Sequence, residues 1–165
     1  MFGYFVKWLK SIDHLVRWVI GILVSLMVAD VFAQVLWRYA FNDPIYWADE
    51  AARYMFVWVS FLGAAVAFGE KLHYGFDYLT QKFPPGFQRT VEILVGALVG
   101  LFLALCIFKG LEASIIVMEQ NSPALRIRMG WVYLALPAGS AIMLLHLIAQ
   151  LIRRDEVVSK TAHVE

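Results

Sequence analysis

The sequence predicts an all-α integral membrane protein with four transmembrane helices and short interfacial amphipathic helices. Of its 165 residues, 61% are hydrophobic, and the mean hydropathy is +0.68. A chain this apolar needs lipid as its solvent. The apolar residues form four runs that can each cross a bilayer as a helix, at about 1.5 Å per residue. We therefore predict one membrane domain, residues 1–165, with spans at about 15–39, 44–68, 87–116 and 131–152.

The first span, 15–39, follows a segment rich in aromatic residues and lysine. This segment, Met1–Lys10, has the composition of a short amphipathic helix at the membrane surface. A cleaved signal peptide is the alternative, because the residues at 31–33, Val-Phe-Ala, form a plausible cleavage pattern. Arg17 and Asp30 bracket a short apolar region, which favours a retained helix.

The second span, 44–68, begins with a helix-start signal and then carries three charged residues. Asn42 or Asp43 can cap the helix, and Pro44 is well placed in its first turn. Asp49, Glu50 and Arg53 follow within an otherwise apolar run. A charge at mid-depth in a spanning helix costs about 2.5–3.5 kcal/mol on insertion scales, so these side chains need partners.

The segments that flank the third span are predicted to lie at the membrane surface or outside it. Phe76, Leu79 and Phe83 have the spacing of a short interfacial helix, which Pro84 and the proline after it would stop. The third span, about 30 residues at ~1.5 Å each, exceeds a ~30 Å hydrocarbon core and should tilt.

The fourth span, 131–152, contains a proline and precedes a charged segment. Pro137 predicts a bend about one turn before it. Residues 153–165 lack apolar periodicity, and we predict a mobile cytoplasmic tail.

The basic residues predict the orientation, because cytoplasmic loops carry an excess of lysine and arginine. Nine lie on the side of both termini: Lys7, Lys10, Arg17, Lys71, Lys82, Arg89, Arg153, Arg154 and Lys160. Five lie on the other side: Arg38, Arg53, Lys109, Arg126 and Arg128. Both termini are therefore predicted to be cytoplasmic.

The polar residues of the first two spans predict a buried cluster. If the two helices run antiparallel through a short connection, matched depths place Asp30 opposite Arg53 and Gln34 opposite Asp49. We predict a ladder in which Arg53 joins Asp30 to Asp49 and Glu50, with Gln34 alongside, and which fastens the two helices. A proton or sodium site is the alternative, since intramembrane carboxylates are often functional. The arginine within the cluster favours the structural interpretation.

Small residues predict close helix packing in two of the spans. Gly96 and Gly100 form a Gly-x-x-x-Gly stripe on the third helix, and Gly63 and Ala67 lie on the second. Such spacing lets helix backbones approach closely within a bilayer.

Several kinds of chemistry lack support in the sequence. The single cysteine, Cys106, excludes a disulfide framework or a cysteine-based metal site in this chain alone. His14 and His146 lie towards one side of the membrane, so haem ligation is considered, although His14 is at the extreme end of its helix. No phosphate loop or nucleophile–base arrangement is recognisable, and a net charge of +1 does not suggest nucleic acid. We predict a non-enzymatic subunit with no cofactor of its own.

Two blocks of sequence resemble the small membrane subunit of tripartite ATP-independent periplasmic (TRAP) transporters. The first block is Trp47-Ala-Asp-Glu-Ala-Ala-Arg, then Trp58-x-x-Phe61-Leu62-Gly63-Ala64 and His73. The second is Gln120-x-Ser122-Pro123-Ala124-Leu125, then Trp131-x-Tyr133 and Leu136-Pro137. Their order within four spans covers roughly residues 15–150. Asp49 departs from the resemblance, because the family more often has glutamate there.

The resemblance implies function through partners in a bacterial inner membrane. It implies that this chain, surrounded by membrane lipid, scaffolds a large membrane subunit that holds the substrate and sodium sites. A periplasmic substrate-binding protein would deliver an organic acid, such as a dicarboxylate or sialic acid. The connection containing Gln120, Arg126 and Arg128 is a candidate contact for that protein. A cytochrome b-like redox subunit and a small self-sufficient carrier are the alternatives.

Overall fold

Four long helices make up most of the described chain and confirm the predicted fold class. The computed structural model describes residues 2–42, 45–80 and 85–161, and it describes side chains outside 2–6, 71–87, 89, 92 and 153–161. The helices are α1 (Phe2–Ala40), α2 (Ala48–Thr80), α3 (Pro85–Ile116), the short α4 (Gly130–Tyr133) and α5 (Ala135–Thr161), with a 3-10 turn at Val117–Glu119 after α3.

The structure contains four segments that are long and apolar enough to span a membrane. They are Lys7–Ala40, Ala48–Glu70, Ile93–Glu119 and Gly130–Ile152. The first two spans are joined at the same end as the last two, and we call this end, with residues 41–47 and 120–129, the loop end. The opposite end, with the start of α1 and the last turns of α5, is the terminal end.

The connection between α1 and α2 is longer than the sequence suggested. Asn42 has a φ of 54° just after α1, and asparagine tolerates the left-handed conformation that commonly ends a helix. Because α2 begins only at Ala48, Asn42 belongs to the end of α1 and does not cap α2. The predicted cap at Asn42 is therefore wrong, while Asp43 and Pro44 lie outside the described residues.

Helical structure also extends further than predicted at the terminal end. Residues 69–80, predicted as part of a separate interfacial helix, continue α2 without a break, and residues 81–84 lie outside the described chain. Likewise α5 continues to Thr161, through most of the segment predicted as a mobile tail. Residues 153–161 contain no proline or glycine that would stop a helix.

Pro137 has the local effect expected of a proline within a helical segment. The helical segment that starts at Gly130 is interrupted at Leu134, about one turn before the proline, and α5 begins at Ala135. A prolyl ring clashes with the carbonyl one turn earlier and lacks an amide hydrogen, which breaks the regular pattern there. The interruption falls where the bend was predicted, and the bend itself stays a prediction.

The long helices pack as an open row in the order α1, α2, α5, α3. Helix α1 packs along α2, α2 along α5, and α5 along α3, whereas the described parts of α1 and α3 do not touch. Contacts between α1 and α5, and between α2 and α3, are limited. A small apolar core of Val16, Leu62 and Val66 joins α1 to α2, and Ile142 of α5 packs against it.

Glycines permit the closest approaches between neighbouring helices of the row. A Cβ atom on Gly139 of α5 would lie 2.8 Å from the carbonyl oxygen of Phe61 in α2. On α3, Cβ atoms on Gly96 and Gly100 would lie 3.5 and 3.4 Å from Leu151 and Leu147 of α5. The Gly-x-x-x-Gly stripe thus faces α5, but Cβ atoms at these two positions would make only ordinary van der Waals contacts, and the predicted packing role stays a prediction.

We expect Gly139→Ala to destabilise the packing of α2 against α5, because its new methyl group would meet fixed backbone atoms. Overpacking of this kind typically costs about 1–3 kcal/mol. The matched control is Gly63→Ala, since no atom lies within 4 Å of a Cβ built at Gly63. The control should be neutral or gain up to about 1 kcal/mol from its better helix propensity. Thermal unfolding in detergent measures both, and equal melting temperatures for the two variants would refute this packing analysis.

Candidate functional site

The two sequence blocks meet at the loop end, where the carboxylate of Glu50 binds the loop after α3. Glu50 lies in the first turn of α2 and is only 6% exposed. Its Oε2 atom accepts hydrogen bonds from the backbone N–H groups of Ala124 (2.9 Å) and Leu125 (2.8 Å). Its Oε1 atom accepts a hydrogen bond of 2.5 Å from the hydroxyl of Tyr54. A buried carboxylate with three donors is well satisfied, and such charge-assisted bonds are strong.

The loop that Glu50 binds is a small hairpin, residues 120–129. Asn121 and Arg128 form an isolated antiparallel bridge, and the N–H of Met129 donates to the carbonyl of Gln120 at 2.9 Å. Ser122 is buried, and its N–H donates to the carbonyl of Ile127 at 2.9 Å. The hairpin is closed by few backbone bonds and therefore needs support from outside.

The local sequence explains why two adjacent amides of the hairpin point at a carboxylate. Ser122 donates its N–H within the hairpin and Pro123 has no N–H group, so the next amides along the turn are those of Ala124 and Leu125. Arg126 then turns the chain back with a φ of 54°. Since the turn supplies no carbonyl for the two amides, the Glu50 carboxylate accepts both bonds.

A second set of contacts fixes the base of the hairpin on α3 and α4. The hydroxyl of Ser114, itself buried, donates to the carbonyl of Gly130 at 2.8 Å. A Cβ atom on Gly130 would lie 2.6 Å from the Ser114 carbonyl oxygen, so only glycine fits there. The Tyr54 hydroxyl also lies 3.2 Å from Sδ of Met129. The loop end thus joins α2, α3 and α4 around the hairpin.

The ladder predicted between α1 and α2 is not formed among the described side chains. Arg53 is exposed, and its Nε donates to the backbone carbonyl of Asp49 at 3.3 Å instead of to a carboxylate. Atoms Oδ2 of Asp30 and Nε2 of Gln34 are buried without a hydrogen-bond partner among the described residues.

Two differences from the sequence prediction explain this outcome. The late start of α2 at Ala48 changes the depth matching that placed Asp30 opposite Arg53. Glu50 is turned towards the hairpin, so it is not available for Arg53. The pairings of Arg53 with Asp30 and Glu50 are therefore corrected, and a functional role for the polar cluster stays a prediction.

The remaining predicted positions are placed as follows. Gly63 has open space around it, and Ala67 is half-buried on the same helix. Gln120, Arg126 and Arg128 lie in the hairpin with exposed side chains. The positions predicted for a contact with another protein are thus accessible.

The terminal end has a polar junction that the sequence did not reveal. Asp13 of α1 and His146 of α5 form a pair with an Oδ1–Nε2 distance of 2.9 Å. The His146 ring lies over Gly69 of α2, where a Cβ atom would come within 2.8 Å of it. Arg17 and Glu70 form an ion pair of 2.6 Å nearby. Nothing in one sequence links these positions, which come from three helices.

The geometry gives no support to ligation of haem by the two histidines considered above. Nε2 of His146 is bonded to Asp13, and Nε2 of His14 accepts a hydrogen bond of 2.9 Å from the indole of Trp18. Within the described part of the chain, no group of three or more histidine, cysteine or acidic side chains could hold a metal ion.

Comparison with known proteins decides the family. The family described as "Tripartite ATP-independent periplasmic transporters, DctQ component" matches residues 27–156. The chain belongs to this family. The family resemblance drawn from the two sequence blocks is confirmed, and so is the prediction of a transporter subunit that is not an enzyme. With its four spans, the protein is a multi-pass inner-membrane protein.

Individual relatives agree with this assignment. A TRAP transporter small permease protein of Haemophilus influenzae (strain ATCC 51907) is 32% identical over 163 residues, covering 90% of this chain and 99% of that one. The sialic acid TRAP transporter permease protein SiaT of H. influenzae (strain 86-028NP) is 29% identical over 144 residues, 85% of this chain but 23% of that protein. The C4-dicarboxylate TRAP transporter small permease protein DctQ of Vibrio cholerae is 31% identical over 85 residues, 52% of this chain and 37% of that one.

We expect Glu50→Ala to release the hairpin, because two backbone amides would lose their only acceptor. Hydrogen bonds to a charged group contribute about 1.5–3 kcal/mol each, so the loss should be roughly 3 kcal/mol. Hydrogen exchange followed by mass spectrometry should show faster exchange in residues 120–129. The matched control is Asp49→Ala, which removes the exposed neighbouring carboxylate and should leave exchange in the hairpin unchanged. Slow exchange in both variants would contradict a bracing role for Glu50.

Proposed function

We propose that this protein is the small permease subunit that scaffolds the large membrane subunit of a TRAP transporter. The transporter would take up an organic acid, delivered by a periplasmic binding protein, with sodium as the coupling ion. The orientation proposed is the one that the basic residues predict, with both termini in the cytoplasm and the hairpin in the periplasm.

The observation that carries the proposal is the contact between Glu50 and the hairpin. It joins the two sequence blocks that resemble the family, across 74 positions of the chain from Glu50 to Ala124. The contact satisfies the carboxylate completely with protein donors, which supports a structural role for Glu50 over a role in ion coupling. Through these bonds, Glu50 holds the hairpin in a fixed position at the protein surface.

The open row supports a scaffold that binds a large membrane partner. Large apolar side chains of α1 and α3 are exposed along the membrane-spanning segments, for example Phe32, Leu98 and Phe102. Because the row has no enclosed interior, such faces must be covered by lipid or by another membrane protein. The match to less than a quarter of the SiaT permease supports a large partner, since a similar segment forms part of a much longer permease there.

The hairpin is the surface that we propose for contact with the binding protein. Arg126 is exposed at the tip of the hairpin, and Arg128 is exposed on its second arm. Ile127 between them is 42% exposed. Complementary charge steers association between proteins and raises the association rate. We expect the hairpin to contact an acidic patch on the surface of the binding protein.

The proposed substrate class rests on the relatives. One is named for sialic acid and another for C4-dicarboxylate, and both substrates are organic acids. We therefore propose an organic acid for this transporter, with selectivity determined in the partner proteins.

The experiment that tests the scaffold is reconstitution with the genomic neighbours of the chain. The chain and its neighbouring large permease should co-purify in detergent in near-equal amounts. In proteoliposomes with the binding protein, we expect uptake of an organic acid to require both membrane subunits and an inward sodium gradient. Uptake without this chain would overturn the scaffold, and uptake with potassium replacing sodium would overturn the proposed coupling ion.

We expect Arg126→Ser with Arg128→Ser to weaken capture of the binding protein without affecting assembly. Loss of two steering charges should lower uptake about 3–10-fold when the binding protein is limiting, with recovery at saturating concentration. The measurement is the initial uptake rate against the concentration of binding protein.

Lys109→Ser provides the control for loss of charge, because Lys109 is exposed on α3 and pairs with Glu112 at 2.6 Å. This variant should keep the wild-type dependence on binding protein. An unchanged concentration dependence in the double arginine variant would exclude the hairpin as the contact.

A further inference from the structure

The first turns of α1 carry a line of basic side chains on one side of the helix. Lys7, Lys10, His14 and Arg17 follow one another at intervals of three, four and three residues, so they lie on a single face. All four side chains are exposed. We call this line the basic stripe.

The start of the basic stripe points away from the rest of the described protein. On another side of α1, Leu9 and Val16 are buried, and Val16 packs in the core with Leu62 and Val66 of α2. Arg17 at the end of the stripe pairs with Glu70 of α2, whereas Lys7 and Lys10 are exposed. Lys7 and Lys10 therefore form a surface that other molecules can reach.

Acidic groups near the stripe are already paired inside the protein. The carboxylate of Asp13 binds His146, and that of Glu70 binds Arg17. By contrast, neither Lys7 nor Lys10 has an ion-pair partner among the described residues. These two lysines leave an uncompensated positive charge at the terminal end.

The stripe lies at the start of the predicted first span, 15–39. Beyond it, the same face of α1 becomes apolar, with Val28 and Phe32 exposed. Trp18 is 63% exposed and lies on this face one turn beyond His14, to which its indole donates a hydrogen bond of 2.9 Å. Tryptophan is enriched at the level of lipid headgroups, and lysine side chains extend from there towards the phosphate layer.

We propose that Lys7 and Lys10, with Trp18 beyond them on the same face, bind the headgroup of an anionic phospholipid. The two ammonium groups pair with the lipid phosphate, and the Trp18 indole packs against the glycerol backbone and the upper acyl chains. A phosphatidylglycerol-type lipid fits this surface better than phosphatidylcholine, because its headgroup has no positive charge to oppose the lysines. The site is independent of the hairpin and of the proposed transport function.

The test uses the full chain in nanodiscs that contain phosphatidylcholine with a minor fraction of phosphatidylglycerol. The protein is then released from the nanodiscs, and the lipids that stay bound to it are counted by native mass spectrometry. We expect the wild-type protein to be enriched in phosphatidylglycerol. An anionic surface attracts a basic residue with roughly 1 kcal/mol, equivalent to about five-fold in affinity. The Lys7→Gln, Lys10→Gln variant should therefore lose about 25-fold in preference for phosphatidylglycerol.

Two controls make the result specific to this surface. Arg126→Gln with Arg128→Gln removes the same charge at the loop end and should keep the preference. Lys7→Arg with Lys10→Arg retains the charge and should also keep it. Millimolar inorganic phosphate should not displace the lipid, because the indole contacts require an acyl chain.

Three results would overturn the proposal. The first is an equal retention of the two lipids by the wild-type chain. The second is an unchanged preference in the double glutamine variant, confirmed as folded by its helical circular dichroism. The third is an equal loss of preference in the loop-end variant, which would show that net charge alone attracts the lipid.

Discussion

The buried carboxylate of Glu50 determines the shape of the loop end. Two adjacent amides of the hairpin, those of Ala124 and Leu125, both donate to this carboxylate, so a side chain of another helix supplies their acceptor. Next to a bilayer, an amide without a partner costs more than it does in water, since few water molecules can replace the lost bond. The hairpin consequently takes its conformation from α2, although α3 and α4 are its neighbours in sequence.

The same pair of helices, α2 and α5, holds the row together at different depths. Near the middle, Gly139 brings the backbone of α5 against the Phe61 carbonyl of α2. Near the terminal end, His146 lies over Gly69 and reaches across to Asp13 of α1. The close contacts at Gly139 and at Gly69 restrict the sliding and rotation of α2 relative to α5. Helices α1 and α3 then pack on the two sides of this pair.

Features that depend on local sequence were predictable, and features that depend on distant residues were not. The lengths of the apolar runs predicted four spans, and Pro137 predicted the interruption near Leu134. The contact of Glu50 joins residues 74 positions apart, and local patterns contain no information about such a pairing. The expected partner of Arg53 depended on the length of one connection, so a late start of α2 was enough to change it. The one local signal was Glu50 itself, a charged residue in an apolar run, which needs donors from elsewhere in the chain.

An open row has a geometric consequence for the bilayer around it. With about 8–10 Å between packed helix axes, four helices in a row extend roughly 25 Å from the first axis to the last, but they are only one helix thick. A square arrangement of the same helices would enclose a core and present a shorter outline to its surroundings. In a row, each added helix lengthens the perimeter of the protein in the plane of the membrane. A short chain thereby presents a long boundary to the lipid and protein that surround it.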